Sequence, residues 1–434
     1  MNTSLKIMKL RLLFGTLALG ILPNVALHAQ DDDRIFKDGY DHSLQDYITR
    51  KIESYKLRKA TRETTPVTEV ASAEAVESNI AASATADTVK AKKKWKREDY
   101  VTIPKFGGYI ITHYKYDSRE GENGGEGFNL RFLRLYVDGT VFRDFNYRVQ
   151  MEVSGNPAGS EQSGASARVI DAFINWSHWK ELGIKLGEFK RNFTMENPSN
   201  PWDLGCGDYS QLVKHIAGLG ANQDLNGDPH NSGGRDLGIQ VHGSLFPSKK
   251  DGHRYLSYQF GVFNGQGINS GDKDSKKDII GTLTVEPLKG LKIAGFGWRG
   301  SYFNTPYGLG ESYARWAASV SYEKKDWLFR TEYARHIGST WNKTEKAYTG
   351  PDHADGWYAL ACIPVWRWIR LNLKYDAFRT NMRDMNSLRS IYSVCAELRP
   401  HKNLMLQLQY NHDYDKTRVA KASNQFWAMA YIRF

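Results

Sequence analysis

The chain has 434 residues, 13% of them aromatic, and 59 Lys and Arg against 48 Asp and Glu, a formal charge of +11. Mean hydropathy is −0.56, and after residue 29 no stretch approaches the roughly 18 apolar residues of a spanning helix, so helical membrane spans are excluded. The basic residues are spread singly apart from KAKKKWKR at 90–97, and Cys206, Cys362 and Cys395 stand far apart without a C-x-x-C; neither nucleic acid, nor a zinc site, nor a disulfide framework is expected.

Residues 1–29 read as a secretory leader. Lys6, Lys9 and Arg11 precede or enter the apolar stretch 10–22, Pro23 breaks it, and Ala29 offers a small residue for cleavage. Residues 30–101 form a separate extension. Within it, Leu44, Ile48, Ile52 and Tyr55 have the spacing of one amphipathic helix over 42–59, and the Ala-, Thr- and Ser-rich stretch 64–88 reads as a linker.

From residue 102 the pattern alternates with period two. Leu133, Leu135, Val137 and Val141 share one face of a strand, with Arg134, Tyr136, Asp138 and Thr140 on the other. After the turn at Arg143 and Asp144, Tyr147, Val149 and Met151 alternate with Arg148, Gln150 and Glu152. The next strand places Ile170, Ala172, Ile174 and Trp176 on one face. Short turns at 247–253, 286–290, 324–326, 364–368 and 399–403 alternate with longer polar loops at 264–277, 304–311, 338–354, 380–386 and 414–423. This grammar predicts an all-β, antiparallel, up-and-down transmembrane barrel of about 16 strands over 102–434, with turns on one rim and loops on the other. The last strand, NQFWAMAYIRF, carries Phe426, Ala428, Ala430, Ile432 and Phe434 on one face. A strand ending on an aromatic looks like the closing strand of a bacterial outer-membrane barrel, whose terminal aromatic is read by the assembly machinery.

One connection is exceptional. Residues 191–234 are the third long loop and carry Trp202, Tyr209, Leu212 and Ile216, which need apolar partners. The sequence entering it, Gly187-Glu188-Phe189-Lys190 followed by Phe193 and Glu196, resembles the G-Q-F-K-x-P-F-x-x-E stretch of phosphate-selective porins O and P. Glu188 stands where Gln is usual and Asn192 where Pro is usual. The resemblance covers the barrel, not the extension. It implies a sixteen-stranded, usually trimeric channel for small anions, embedded in outer-membrane lipid, with the third loop folded inward.

A channel needs no catalytic residues, cofactor or metal, and its selectivity comes from lining charges and the width of its constriction. By parity the wall candidates are Arg134, Arg148, Lys185, Arg315, Arg330, Arg370 and Lys374. The loop candidates are Lys190, Arg191, Lys214 and Arg235. Asp138, Glu152, Asp171, Glu323, Glu332 and Asp376 lie among them, so the same residues can equally form salt-bridged ladders that stiffen the wall. GENGGEG at 121–127 lacks the Lys of a phosphate loop, DLNGD at 224–228 lacks an EF-hand's spacing, and no G-x-S-x-G appears. Two rival functions remain: a barrel enzyme of lipase or protease type, and a plugged structural or adhesive barrel.

Overall fold

The computed structural model describes residues 100–119, 125–154, 167–219, 224–227 and 233–434. The expected leader, and the expected extension as far as residue 99, lie outside the described residues.

Sixteen strands follow one another: β1 (Lys105–Asp117), β2 (Gly125–Val141), β3 (Phe145–Glu152), β4 (Arg168–Trp176), β5 (Gly183–Lys190), β6 (Arg235–Pro247), β7 (Arg254–Phe263) and β8 (Asp278–Leu288), then β9 (Leu291–Asn304), β10 (Leu309–Lys324), β11 (Trp327–Ile337), β12 (His353–Trp366), β13 (Ile369–Arg379), β14 (Leu388–His401), β15 (Leu404–Asp415) and β16 (Ala422–Arg433). Each pairs antiparallel with its sequence neighbours, and β1 pairs with β16, so the sheet is a closed barrel. Closure removes the edges that an open sheet would leave unpaired. At the seam, Tyr109 stands opposite Arg433 and Asp117 opposite Gln425. The last residue completes the ladder: Phe434 and Gly108 exchange both backbone hydrogen bonds at 3.0 Å. The Phe434 ring lies over Gly108, where a Cβ would sit 2.7 Å from it, so only glycine fits.

The two faces differ in the sense opposite to a soluble protein. On β15, Gln407, Gln409, Asn411 and Asp413 are buried while Leu408 is 61% exposed. On β16, Trp427, Met429 and Tyr431 are buried, while Phe426 and Ile432 are exposed. The polar, buried set faces the interior of the barrel and the exposed apolar set faces hydrocarbon.

Short connections at 142–144, 177–182, 248–253, 289–290, 325–326, 367–368 and 402–403 share one rim. The other rim carries 118–124, 153–167, 191–234, 264–277, 305–308, 338–352, 380–387 and 416–421. Length alone does not sort them everywhere. The connection 305–308, a single 3-10 turn, is shorter than the opposite-rim turns 177–182 and 248–253.

Two local readings need correction. The register between β3 and β4 slips between Gln150 and Met151, a bulge that passes over Ile170. Ile170 is therefore buried and does not share the outward face of Ile174. In addition, β14 runs through Arg399, so that residue is wall rather than turn.

The wall is uneven. Strands β3, β4 and β5 have 8, 9 and 8 residues, whereas β9, β10, β12 and β14 have 14, 16, 14 and 14.

Candidate functional site: the long segment and the charges around it

The segment 191–234 leaves β5 just after Gly187, whose φ of +128° only glycine adopts readily and where a Cβ would meet the Ala172 carbonyl. It then touches inward side chains from much of the barrel. The backbone N–H groups of Met195 and Glu196 donate to the Glu332 carboxylate of β11 at 2.6 and 2.8 Å. Tyr358 Oη and Ser319 Oγ donate to the same carboxylate. Gly207 N–H donates to Gln409 Oε1 at 2.7 Å, and Gln211 N–H to Asp376 at 2.8 Å. The Gly205 carbonyl accepts from Asn372 Nδ2 at 2.5 Å and Gln407 Nε2 at 3.0 Å. Lys374 of β13 reaches both Glu196, at 3.2 Å, and the Asp208 carbonyl, at 3.1 Å. An irregular buried segment must satisfy its backbone polar groups on side chains, and these residues do so.

Apolar contacts act alongside. The short helix α1 (Gln211–His215) buries Leu212 and Val213, and together with Tyr209 and Ile216 these join a cluster containing Phe296, Trp298, Tyr358 and Phe378 of the wall. Burying each aliphatic side chain is worth roughly 1.5–3 kcal/mol. His215 stacks on Phe378, with centroids 4.2 Å apart. Trp202 packs edge-on to Tyr431 and lies beneath the guanidinium of Arg433.

The eleven cations singled out from the sequence fall into groups. Arg134 pairs with Glu152 at 2.8 Å, donates to Tyr109 Oη and stacks on Phe132. Arg148 is bidentate to Asp138, and Arg235 to Asp171. Arg191 donates to the Ala217 carbonyl at 3.0 Å and lies 3.5 Å from Asp236. Lys214 pairs with Asp208, which also holds Arg131 at 2.8 Å. Arg315 binds Asn226 and the Ile216 carbonyl and stacks on Tyr313. Lys190 donates to the carbonyls of Asn197 and Ser199 and to Tyr209 Oη, pinning the start of the segment. Lys185 lies over the rings of Phe173 and Phe189. Arg370 pairs with Glu397 at 3.0 Å, and Lys374 with Glu196.

The exception is Arg330, whose Nε and Nη1 are buried and find no partner among the described residues. It belongs to a positive set towards the turn-side rim. Arg399 shares the single carboxylate of Glu397 with Arg370, at 2.6 Å. Arg433 donates to the Lys402 carbonyl at 3.4 Å. Asp203 of the long segment sits in the field of Arg399, Arg433 and Arg370. Arg330 lies in the field of Glu332 and Glu196, and Arg370 in that of Glu397 and Asp326. Arg399 and Arg433 were absent from the sequence list, although parity with Glu397 and Tyr431 identifies both as inward.

Asp208 and Cys206 are among the segment groups with shifted ionisation. Burial alone would raise the Asp208 carboxyl, but Lys214 and Arg131 outweigh it and hold it well below the usual carboxylate range. Burial pushes the Cys206 thiol up to about 12, so it stays protonated. Among the described residues no group of three or more His, Cys, Asp or Glu is placed to hold a metal.

The family model of phosphate-selective porin O and P matches residues 105–290, from β1 through the turn after β8. Over those residues the chain is similar to the porin O and P family. It is an outer-membrane channel and not an enzyme. Its fold is similar to the outer membrane channel DcaP of Acinetobacter baumannii (11% identity, TM-score 0.55, 78% of this chain and 99% of that one). It is also similar to an anion-selective porin from Comamonas acidovorans (13%, 0.55, 76% and 99%) and to OmpF of Salmonella typhi in complex with daunomycin (11%, 0.53, 76% and 97%). At these identities the solved porins speak for the sixteen-stranded fold alone. No curated protein sequence matches the chain.

Proposed function

We propose that this porin passes small anions by diffusion, with segment 191–234 as a constriction inside the lumen and the turn-side arginines as the source of selectivity. The observation that carries this reading is that, among the described residues, Arg330 keeps two buried nitrogens without a hydrogen-bond partner, and Arg370 and Arg399 share the one carboxylate of Glu397, all on inward positions. The segment's hydrogen bonds to inward side chains of β11, β13 and β15 support its place in the lumen. In a narrow, poorly hydrated pore an unmatched charge acts strongly on a passing ion, whereas matched pairs cancel at short range. The phosphate-selective family and the anion-selective porin of similar fold agree in sign. Reconstitution in a planar bilayer under a potassium chloride gradient tests it. The reversal potential is expected on the chloride side, and phosphate is expected to compete with chloride; a cation-side potential sinks the reading.

The uneven wall supports a homotrimer. Strands of 8–9 residues, tilted about 40°, rise only about 20 Å, less than the roughly 25 Å apolar band of such barrels. A side that low fits against neighbouring subunits better than against lipid. Cross-linking of the purified protein is expected to give a three-chain product.

Phe434, seated on Gly108 at the seam, is proposed as the residue read by the barrel assembly machinery. Deleting it is expected to abolish the heat-modifiable gel band while export continues.

A further inference from the structure

The outward face of a barrel wall should be apolar, because an arginine there costs roughly 2–4 kcal/mol at the bilayer midplane and little only near the interfaces. Strands β11, β12 and β13 break this rule at their loop-side ends. Arg335, Asp355 and Arg379 stand directly opposite one another in the register, Arg335 against Asp355 and Asp355 against Arg379. Their parity is that of Tyr333, Trp357 and Tyr375, outward. Asp355 is committed: it accepts two bonds from Arg379, at 2.8 and 2.5 Å, and one from Tyr333 Oη at 3.0 Å. Arg335 is left over. It is half-buried, and its Nε is enclosed with no hydrogen-bond acceptor among the described residues. Two strands away, Arg299 of β9 is outward and exposed. Among the described residues the band therefore carries three arginines and one carboxylate.

Two hollows lie along the same face. One, of 320 Å³, sits beside the band and is lined by Trp357, Tyr375, Ala377, Arg379, Met385 and Leu388. The other, of 590 Å³, continues towards the membrane centre between Val320, Phe329, Ala359, Ala361, Leu373 and Val394. Tyr375 lines both, so they form one trough. Small residues on β12 make its floor and larger ones on β10, β11, β13 and β14 its sides.

We propose that this face binds a phosphorylated acyl lipid of the outer leaflet, with its phosphate on Arg335 and Arg299 and an acyl chain in the trough. The occupant follows from position and charge. The band lies at the rim of the longer loops, the outer rim of such barrels, at headgroup depth. Strands β9–β14 have 11–16 residues and span the hydrocarbon unaided, and β11–β13 stand half a barrel away from the short strands β3–β5. A two-fold contact with a second copy would set arginine against arginine, whereas a phosphate neutralises the surplus. Arginine's planar fork also matches a phosphate's paired oxygens.

The test uses the full-length protein purified in detergent and native mass spectrometry with three probes: bisphosphorylated lipid A, the same lipid dephosphorylated, and inorganic phosphate. Retention of bisphosphorylated lipid A is expected, with roughly tenfold to thirtyfold weaker binding of the dephosphorylated form. Inorganic phosphate should not displace the lipid, since it leaves the trough unfilled. The double variant R299Q/R335Q should lose lipid A by the same factor while keeping its heat-modifiable band and single-channel conductance. A359F, which blocks the trough floor, should lose it with all charges intact. Should R335Q fail to assemble, R299Q and A359F carry the test separately. Undiminished retention in the variants overturns the proposal. So does equal binding of the dephosphorylated lipid, or displacement by inorganic phosphate. If R299Q/R335Q instead splits an oligomer while still holding lipid A, the face is a subunit contact and the proposal fails.

Discussion

The middle of the barrel and its turn-side rim are both crowded with charge, but they are built differently. In the middle, where the long segment meets the wall, nearly every ion has a counter-ion or a saturated set of hydrogen bonds: Lys374 with Glu196, Arg131 and Lys214 with Asp208, and Glu332 with four donors. At the rim, Arg370 and Arg399 compete for Glu397, and two nitrogens of Arg330 find no hydrogen-bond partner among the described residues. The number of arginines in a pore is therefore a poor guide to its selectivity. Matched charges hold architecture together, and unmatched ones remain available to a solute.

The largest expected effect comes from breaking the matched region. Glu332→Ala orphans the backbone N–H groups of Met195 and Glu196 and the hydroxyls of Ser319 and Tyr358. Each buried unsatisfied group costs on the order of 1–3 kcal/mol, enough to free the start of the segment. Single-channel conductance should rise several-fold and become noisy; an unchanged conductance means that the segment does not limit flow.

Next in size is the rim. Changing Arg330, Arg370, Arg399 and Arg433 together to Gln should carry the reversal potential to or past neutrality, with conductance altered much less. A quadruple variant as anion-selective as the parent would remove the distinction between the two regions.

A smaller effect is expected from Lys190→Met. That lysine serves the Asn197 and Ser199 carbonyls, so its loss should add gating noise with little movement of the reversal potential. A large shift in selectivity would move Lys190 to the unmatched class.

The smallest concerns pH. The Asp208 carboxyl is depressed in the folded protein, so its pairing with Lys214 and Arg131 contributes stability above the ordinary carboxylate range, and that stability is lost only as pH falls through the lower folded value. Conductance noise should stay flat from neutral pH down through about pH 4 and rise only below it. An onset near pH 5–6 in bilayer recordings would point to another group.

Much of the barrel was legible because period-two alternation is a local property. The face of β16 that carries Phe426 and Ile432, the bounds of the connections 191–234 and 264–277, and the strand number all follow from neighbouring residues. The partners of the charges were not legible. That Lys374 meets Glu196, or that Glu332 caps two N–H groups of the long segment, depends on cross-strand register and on a connection without periodicity. Arg399 escapes sequence reasoning because β14 continues past the turn-like Pro400, and Ile170 because a bulge adds one residue and inverts parity beyond it. The lipid-side row of Arg335, Asp355 and Arg379 is invisible along the chain, since its members come from three strands.

The seam between β1 and β16 has a kinetic meaning. All other pairings join strands that are consecutive in the chain and can form as hairpins close to one another. The last one brings Tyr109 against Arg433, across almost the whole barrel sequence. Until that contact forms, the molecule is a curled ribbon with two raw edges, each ready to recruit a strand from elsewhere. Its safe passage from exported chain to finished pore therefore depends on how long those two edges are kept apart from every strand but each other.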